Sequence, residues 1–176
     1  MALFFITGIA GTGKSTILEE LTSRGFEAYG VDEHGFAFWH NINSGYVHPK
    51  SSVKTHHRTP EFLKAHSWKI SRQMVKDLAE KSKGKIVFLC GVAMNDDEIW
   101  DLFSGVFALT IDQDTLKHRL ATRTTNDYGK AKHELELTLD QHSVSSELYK
   151  KYNYTILDAT KPIQQLVDLI VQQVKV

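Results

Sequence analysis

Three groups of residues in this sequence have the types and spacing to do chemistry. The first is Gly8-Ile-Ala-Gly11-Thr12-Gly13-Lys14-Ser15-Thr16, which holds the phosphate-loop spacing Gly-x-x-x-x-Gly-Lys-Ser. Gly8, Gly11 and Gly13 leave backbone N–H groups free to converge on phosphate oxygens, and a helix opening near Gly13 adds its N-terminal partial charge. Lys14 can reach the outer phosphates, and the Ser15 hydroxyl can ligate Mg2+. The second is Asp32, at the end of an expected strand beside that loop. A carboxylate there can accept a proton from an attacking hydroxyl or hold Mg2+ through water. Glu33 and His34 compete for the same roles. The third is Arg119 and Arg123, at i and i+4 on one helix face and followed by a glycine-containing segment. Two guanidiniums there would spread the charge of a transferring phosphoryl group, and a flap carrying them would exclude water. The same spacing also suits a solvated face paired with Asp112 or Asp114.

The elements that must hold these residues alternate. Ala2–Ile6 reads as a buried strand, followed by a helix with Ile17, Leu18 and Leu21 on one side. Gly25–Val31 reads as a second strand that delivers Asp32. A helix is predicted from Pro60, with Thr59 as its cap and Leu63, Ile70, Met74 and Leu78 on one face, until Lys83-Gly84 stops it. Lys85–Cys90 is the third strand, Asn95 caps a short helix through Phe103, and Val106–Ile111 is the fourth strand. A helix runs from Asp112 to about Arg123, and another covers Leu135, Leu137 and Leu139. Tyr154–Leu157 is the fifth strand, and the last helix starts near Pro162 with Ile163, Leu166, Val167, Ile170 and Val174 on one stripe. Residues 33–59 show no sustained period, and loops of that length are usually functional or mobile. Short apolar strands separated by helices predict an α/β fold with a parallel sheet covered on both faces. Ligands of such sheets sit at the carboxyl ends of the strands, which gathers Gly8–Ser15, Asp32, Gly91 and the Asp158–Pro162 turn on one rim. The third strand ends Leu89-Cys90-Gly91-Val92-Ala93, without the aspartate that commonly holds a metal there. Gly91 is expected to leave room for substrate.

Composition narrows the partners. Among 176 residues, Lys plus Arg equals Asp plus Glu at 21 each, so no net field draws the chain to nucleic acid or a membrane. A small-molecule partner is the expectation. One cysteine excludes a disulfide framework and suits a reducing compartment. The chain opens on a strand without a basic leader, and no apolar run approaches about 18 residues, so a soluble cytoplasmic protein is expected.

The whole chain resembles the small P-loop kinases: the nucleoside and nucleotide kinases (adenylate kinase among them), shikimate kinase and gluconate kinase. Residues 8–16 resemble their phosphate loop, Asp32 and Gly91 resemble shikimate-type sites, and Arg119 and Arg123 resemble the arginines entering the family's lid. The ending Ile156-Leu-Asp158-Ala-Thr160-Lys-Pro162 resembles the loop where adenine rests. The resemblance implies a three-layer P-loop NTPase fold whose five-stranded parallel sheet has the order 2-3-1-4-5. It also implies one domain over residues 1–176, an acceptor-binding region at 33–83, a short lid at 123–133, and ATP and Mg2+ as cofactors, with Asp32 a possible further metal contact beside Ser15. The protein would act as a monomer or homodimer. Arg123 would then serve the reaction with Lys14 and Asp32. Arg119, Asp158, Thr160 and Pro162 would join residues 8–16 around the nucleotide.

The acceptor is less constrained. Arg58 and Arg72 are the only arginines between residues 33 and 90, with Lys50, Lys54, His56 and His57 nearby, and a nucleotide or acid acceptor needs such a cation. Phe36, Phe38, Trp39 and Tyr46 either stack on a planar acceptor or form core beneath the loop. The chain lacks the Asp-Gly-Phe-Pro-Arg of adenylate kinases, the Glu-Arg-Ser of deoxynucleoside kinases and the arginine pattern expected for shikimate. The leading expectation is phosphoryl transfer from ATP to a nucleoside- or nucleotide-like acceptor. A sugar acid, shikimate-like acid or antibiotic hydroxyl is the alternative, and an ATP-binding regulator with slow hydrolysis is a third reading. The missing aspartate after strand three, the lid arginines and the lack of an Asn-Lys-x-Asp motif count against the regulator.

Overall fold

The computed structural model describes residues 2–49 and 52–174. Its main sheet contains β1 (Ala2–Thr7), β2 (Glu27–Gly30), β5 (Ile86–Cys90), β6 (Gly105–Thr110) and β7 (Thr155–Asp158), in the order β2-β5-β1-β6-β7 and all parallel. Counted along the main sheet alone, this is the expected order 2-3-1-4-5. The strands alternate side chains between two faces. Leu3 and Phe5 of β1, with Val87 and Leu89 of β5, enter one apolar core, while Ile6, Phe88 and Cys90 enter the other. Phe5 and Phe88 are both fully buried, and each such side chain contributes about 1.5–3 kcal/mol through the hydrophobic effect.

One face of the sheet is covered by α1 (Lys14–Ser23), α5 (Gln113–Thr122) and α7 (Ile163–Val174). Leu166, Val167, Ile170 and Val174 of α7 are buried there, on the stripe the sequence predicts. The other face takes α3 (Arg72–Lys81) and the short α4 (Asp96–Ile99), through Val75, Leu78, Ala79 and Ile99. A long helix, α6 (Lys132–Lys151), follows the segment after α5.

The region between β2 and α3 departs from expectation. The predicted helix from Pro60 is cut into α2 (Pro60–Ala65) and α3 by a strand, β4 (His66–Ile70), which pairs antiparallel with β3 (Ala37–Asn41) in a separate two-stranded sheet. Aromatic and β-branched residues favour a pleated surface, and Trp68 lies opposite Trp39 while Ile70 lies opposite Ala37. Helical spacing of Leu63, Ile70 and Leu78 misleads because the pairing partner lies some 30 residues upstream. Thr59 does cap α2, its side chain accepting from Phe62 N, and Ser71 restarts the helix by accepting from Met74 N.

The hairpin is docked on the rim of the main sheet by Asn95. This residue is 2 % exposed, and its amide donates to Ile70 O (3.0 Å) and accepts from Ile70 N (2.9 Å). It makes no side-chain cap on α4, so the expected capping role is replaced by that of a strand partner. Met94 N donates to Trp68 O (2.8 Å), extending the same seam.

Candidate active site

The phosphate loop bridges β1 and α1. Gly13 occupies the left-handed region (φ 101°) as the residue before α1, a conformation that costs other L residues strain. Thr12 is buried, with its hydroxyl donating to Ile9 O (2.9 Å), so it braces the turn from inside. Lys14 folds back over the loop, its Nζ donating to Gly8 O (2.6 Å) and Ile9 O (2.8 Å). Burial lowers the Lys14 pKa to about 8, and Arg123 nearby pushes the same way, while Asp32, Cys90 and Glu33 oppose it. An ammonium held in this desolvated cradle is primed for anionic oxygen, because a bound phosphate would restore its preference for the charged form. Ser15 and Thr16 stand exposed at the first turn of α1.

Asp32 and Glu33 follow β2 on the same rim. The Asp32 carboxyl is open at its tip but walled by protein, and that desolvation raises its pKa; Lys14 partly offsets the rise, Glu33 adds to it, and Trp68 nearby favours the charged form. The docked hairpin therefore brings Trp68 beside the candidate base. Glu33 turns the other way and comes within 3.4 Å of the Ser15 hydroxyl. Its carboxylate fills the space beside Gly30, where a Cβ would lie 1.9 Å from the Glu33 Oε2. Hydroxyl and carboxylate oxygens are the donors Mg2+ prefers. Among the described residues no group of three or more His, Cys, Asp or Glu could hold a metal, so a cation here would need phosphate oxygens to complete its shell. His34 is occupied: its Nδ1 accepts from Gly30 N (3.0 Å) and closes the turn.

Gly91 does not open a substrate space. A Cβ there would lie 2.2 Å from the Val31 side chain, so the glycine lets β5 close against the end of β2. The expected vacancy is filled by Val31.

Arg119 joins two loops on the nucleotide side. Its guanidinium donates to Ala159 O (2.9 Å) and Thr12 O (3.4 Å), tying the phosphate loop to the turn after β7. That turn is shaped by Asp158, whose carboxylate accepts from Thr160 N (3.0 Å) and Thr160 Oγ1 (2.6 Å). Pro162 opens α7, its carbonyl accepting from Leu166 N.

Residues 123–131 form the segment between α5 and α6, and the expected lid bound of 133 falls inside the first turn of α6. Arg123 donates from Nη2 to Tyr128 O, and its Nε is buried without a partner. Arg58, an acceptor candidate, is instead paired with buried Glu134 through Nε and Oε1 (2.7 Å). Arg72, the other acceptor candidate, is held by a bidentate pair with Asp101 (2.6 Å each). Arg24 pairs with Glu20 and Asp168. Every arginine of the chain thus already faces a carboxylate or a backbone carbonyl.

The aromatic residues mostly pack on one another. Phe36 is buried in the core, Trp39 lies against Trp68 (centroids 5.1 Å apart) and Phe62 (5.3 Å), and Tyr46 stays exposed beside His48. The His57 ring accepts from Lys54 N, closing a turn. Lys50 lies outside the described residues. Sequence reasoning missed Trp68, Asn95 and Glu134 as organisers of this rim, because their partners lie between 25 and 76 residues away or behind a hairpin that helical spacing concealed. Glu134 alone left a local signal, an acidic residue in the first turn of a helix just after Gly129.

A family described as an AAA domain matches residues 5–157. The chain belongs to this family. No curated protein matches it. Its fold is similar to that of shikimate kinase from Acinetobacter baumannii in complex with shikimate (13 % identity, 99 % of this chain and 93 % of that one, TM-score 0.62). It is also similar to shikimate kinase from Aquifex aeolicus (17 %, 98 % and 96 %, TM-score 0.57) and to deoxyadenosine kinase from M. mycoides with bound dATP (14 %, 100 % and 100 %, TM-score 0.56). The fold is that of the small P-loop kinases. No helix among the described residues is long and apolar enough to cross a membrane.

Proposed function

We propose that this AAA-domain protein is an ATP-dependent small-molecule kinase that transfers the γ-phosphoryl group of ATP to a hydroxyl of a nucleoside- or nucleotide-like acceptor. The observation that carries the reading is the placement of Asp32 on the phosphate-loop rim, beside Lys14 and next to Trp68 of the docked hairpin. A carboxylate there can take the proton of whichever O–H attacks as the new P–O bond forms, and the hairpin docked on the rim beside it is what favours an acceptor hydroxyl over water.

In this reading Lys14 neutralises the outer phosphates, and Arg119 braces the loops around the nucleotide. Asp32 accepts the proton of the attacking hydroxyl, and Arg123 on the lid meets charge as the phosphoryl group moves. Ser15 and Glu33 would hold Mg2+, which draws charge off the phosphate oxygens when bound. The arginine pairing favours the nucleoside end of the acceptor range: a phosphate or carboxylate acceptor would have to displace existing partners, while a neutral hydroxyl compound would not.

The test is ATP consumption by the purified protein against a panel of nucleosides, nucleotides, sugar acids and hydroxy acids, with ADP and the phosphorylated product both measured. Turnover with a neutral nucleoside-like compound is the expected result. Product formed only from acids would favour the sugar-acid reading. ADP release that no acceptor accelerates would favour the slow-hydrolysis regulator.

A further inference from the structure

The segment after α5 is held down by one buried carboxylate. Glu134 is 1 % exposed, deep for a charged side chain, and makes two links with its two oxygens. Oε2 accepts from Gly129 N (2.8 Å) in the lid segment. Oε1 accepts from Arg58 Nε (2.7 Å), 76 residues away in the acceptor region. Around this pair the two regions are laced further: His133 Nε2 lies 2.7 Å from Arg58 O, and the Arg58 guanidinium sits over the Tyr128 ring at 5.5 Å. Tyr128 O in turn accepts from Arg123.

A helix-capping role would explain the Gly129 contact, since an acidic residue in the first turn commonly accepts from the backbone before it. It would not explain why the same carboxylate is buried against a guanidinium from another part of the chain. Nor would it explain the donors left over. Arg58 Nη2 and Arg123 Nε are both buried without partners, a costly state. Glu134 and Asp127 both bear on the Arg123 guanidinium, yet its Nε stays unpartnered on the side of the rim where Lys14 stands.

We propose that Glu134 is a positioning residue that fastens the acceptor region to the lid through Arg58 and Gly129, so that Arg123 is presented to the transferring phosphoryl group. The residue touches neither substrate. It acts by fixing the geometry of the guanidiniums on either side, and the unpartnered Arg123 Nε is the donor that an incoming phosphoryl oxygen completes. The acceptor region and the lid then form one closing unit, with Glu134 as its joint.

The kinetic part rests on the kinase reading; the structural part does not. The first measurement is therefore limited trypsin digestion of the full chain without substrate, with cuts located by mass. Arg123, Lys130 and Lys132 supply cleavage sites within or beside the lid segment. Glu134→Gln and Arg58→Gln should each raise cleavage at these sites by about tenfold or more, while sites elsewhere keep their wild-type rate. A pure capping role predicts that Arg58→Gln leaves lid cleavage unchanged, and that result overturns the proposal. If the single variants do not fold, the double variant Arg58→Leu with Glu134→Leu removes both buried charges together, a replacement that folds often tolerate. A folded double variant with a protected lid is equally fatal. Once an acceptor is known, Glu134→Gln should lower kcat by about tenfold or more while the KM for ATP moves less than about threefold. An equal fall in all kinetic parameters together with uniform cleavage across the chain would reduce Glu134 to a stabilising residue.

Discussion

The two sides of the rim are built by different means. On the nucleotide side, residues 8–16 form a nearly continuous stretch in which each side chain finds its partner close by: Lys14 on Gly8 O and Ile9 O, Thr12 on Ile9 O. Two links reach further: Ser15 to Glu33, and Arg119 to Thr12 O and Ala159 O. On the hairpin side the turns are closed locally, but the links that hold the segments together are long-range: Asn95 to Ile70, Arg58 to Glu134, with Trp68 brought beside Asp32. A phosphate is the same shape in every nucleotide, so a local turn of fixed geometry suffices to hold it. An acceptor pocket, by contrast, would have to match one compound, and segments that can vary independently suit that task.

The contrast can be broken by substitution. Lys14→Ala should abolish phosphoryl transfer and weaken ATP binding with the fold intact, since the ammonium is spent on the loop and not on the core; turnover at the parent rate would remove the kinase reading. On the acceptor side, Asp32→Asn should cost at least about 100-fold in turnover with little change in ATP affinity, because general-base catalysis is typically worth about 10²–10⁴-fold. Equal activity of Asp32→Asn and parent would end the base role and move attention to Glu33, the other carboxylate near Lys14.

The two helix arginines sharpen the same comparison. Arg119→Ala should weaken ATP binding by roughly tenfold or more with a smaller effect on turnover of the bound complex, because it unties the phosphate loop from the turn after β7. Arg123→Ala should do the reverse. Isothermal binding and single-turnover rates separate the two, and identical profiles for both variants would reduce the pair to a single structural brace.

The smallest effect is a pH dependence of ATP binding. Free Lys14 titrates near pH 8 because burial depresses it from 10.5. Bound phosphates should hold it protonated. Affinity should therefore be full below pH 8 and fall as pH rises through it, by about tenfold between pH 7 and pH 9. Lys14→Met should flatten that slope, and a parent slope of zero would mean that the ammonium does not meet the phosphates.

Much of the nucleotide side is legible in the chain itself. The Gly-Lys-Ser spacing, the apolar runs of β1, β5 and β6 and the stripe on α7 are local patterns, and the parallel order follows from their alternation with helices. The hairpin was not legible. Residues 66–70 carry helical spacing with their flanks, and only pairing with residues 37–41 turns them into a strand. Gly91 shows the opposite failure: its size was read correctly, but the neighbour it makes room for is Val31 and not a ligand.

The sequence by itself determined that a phosphate-binding turn lies between a buried strand and a helix, because backbone conformation and short-range periodicity are set by neighbouring residues. It also determined the sheet, since each strand's apolar run can be buried only against covered faces. Only the tertiary structure decided what stands opposite the phosphate. Asp32 stands at the end of β2 near Lys14 with Trp68 of the hairpin beside it, and Arg58 gives its Nε to Glu134, neighbours that no local pattern names. Buried polar groups must find partners, and which partner each one finds depends on which distant segments the packed core brings within hydrogen-bond reach.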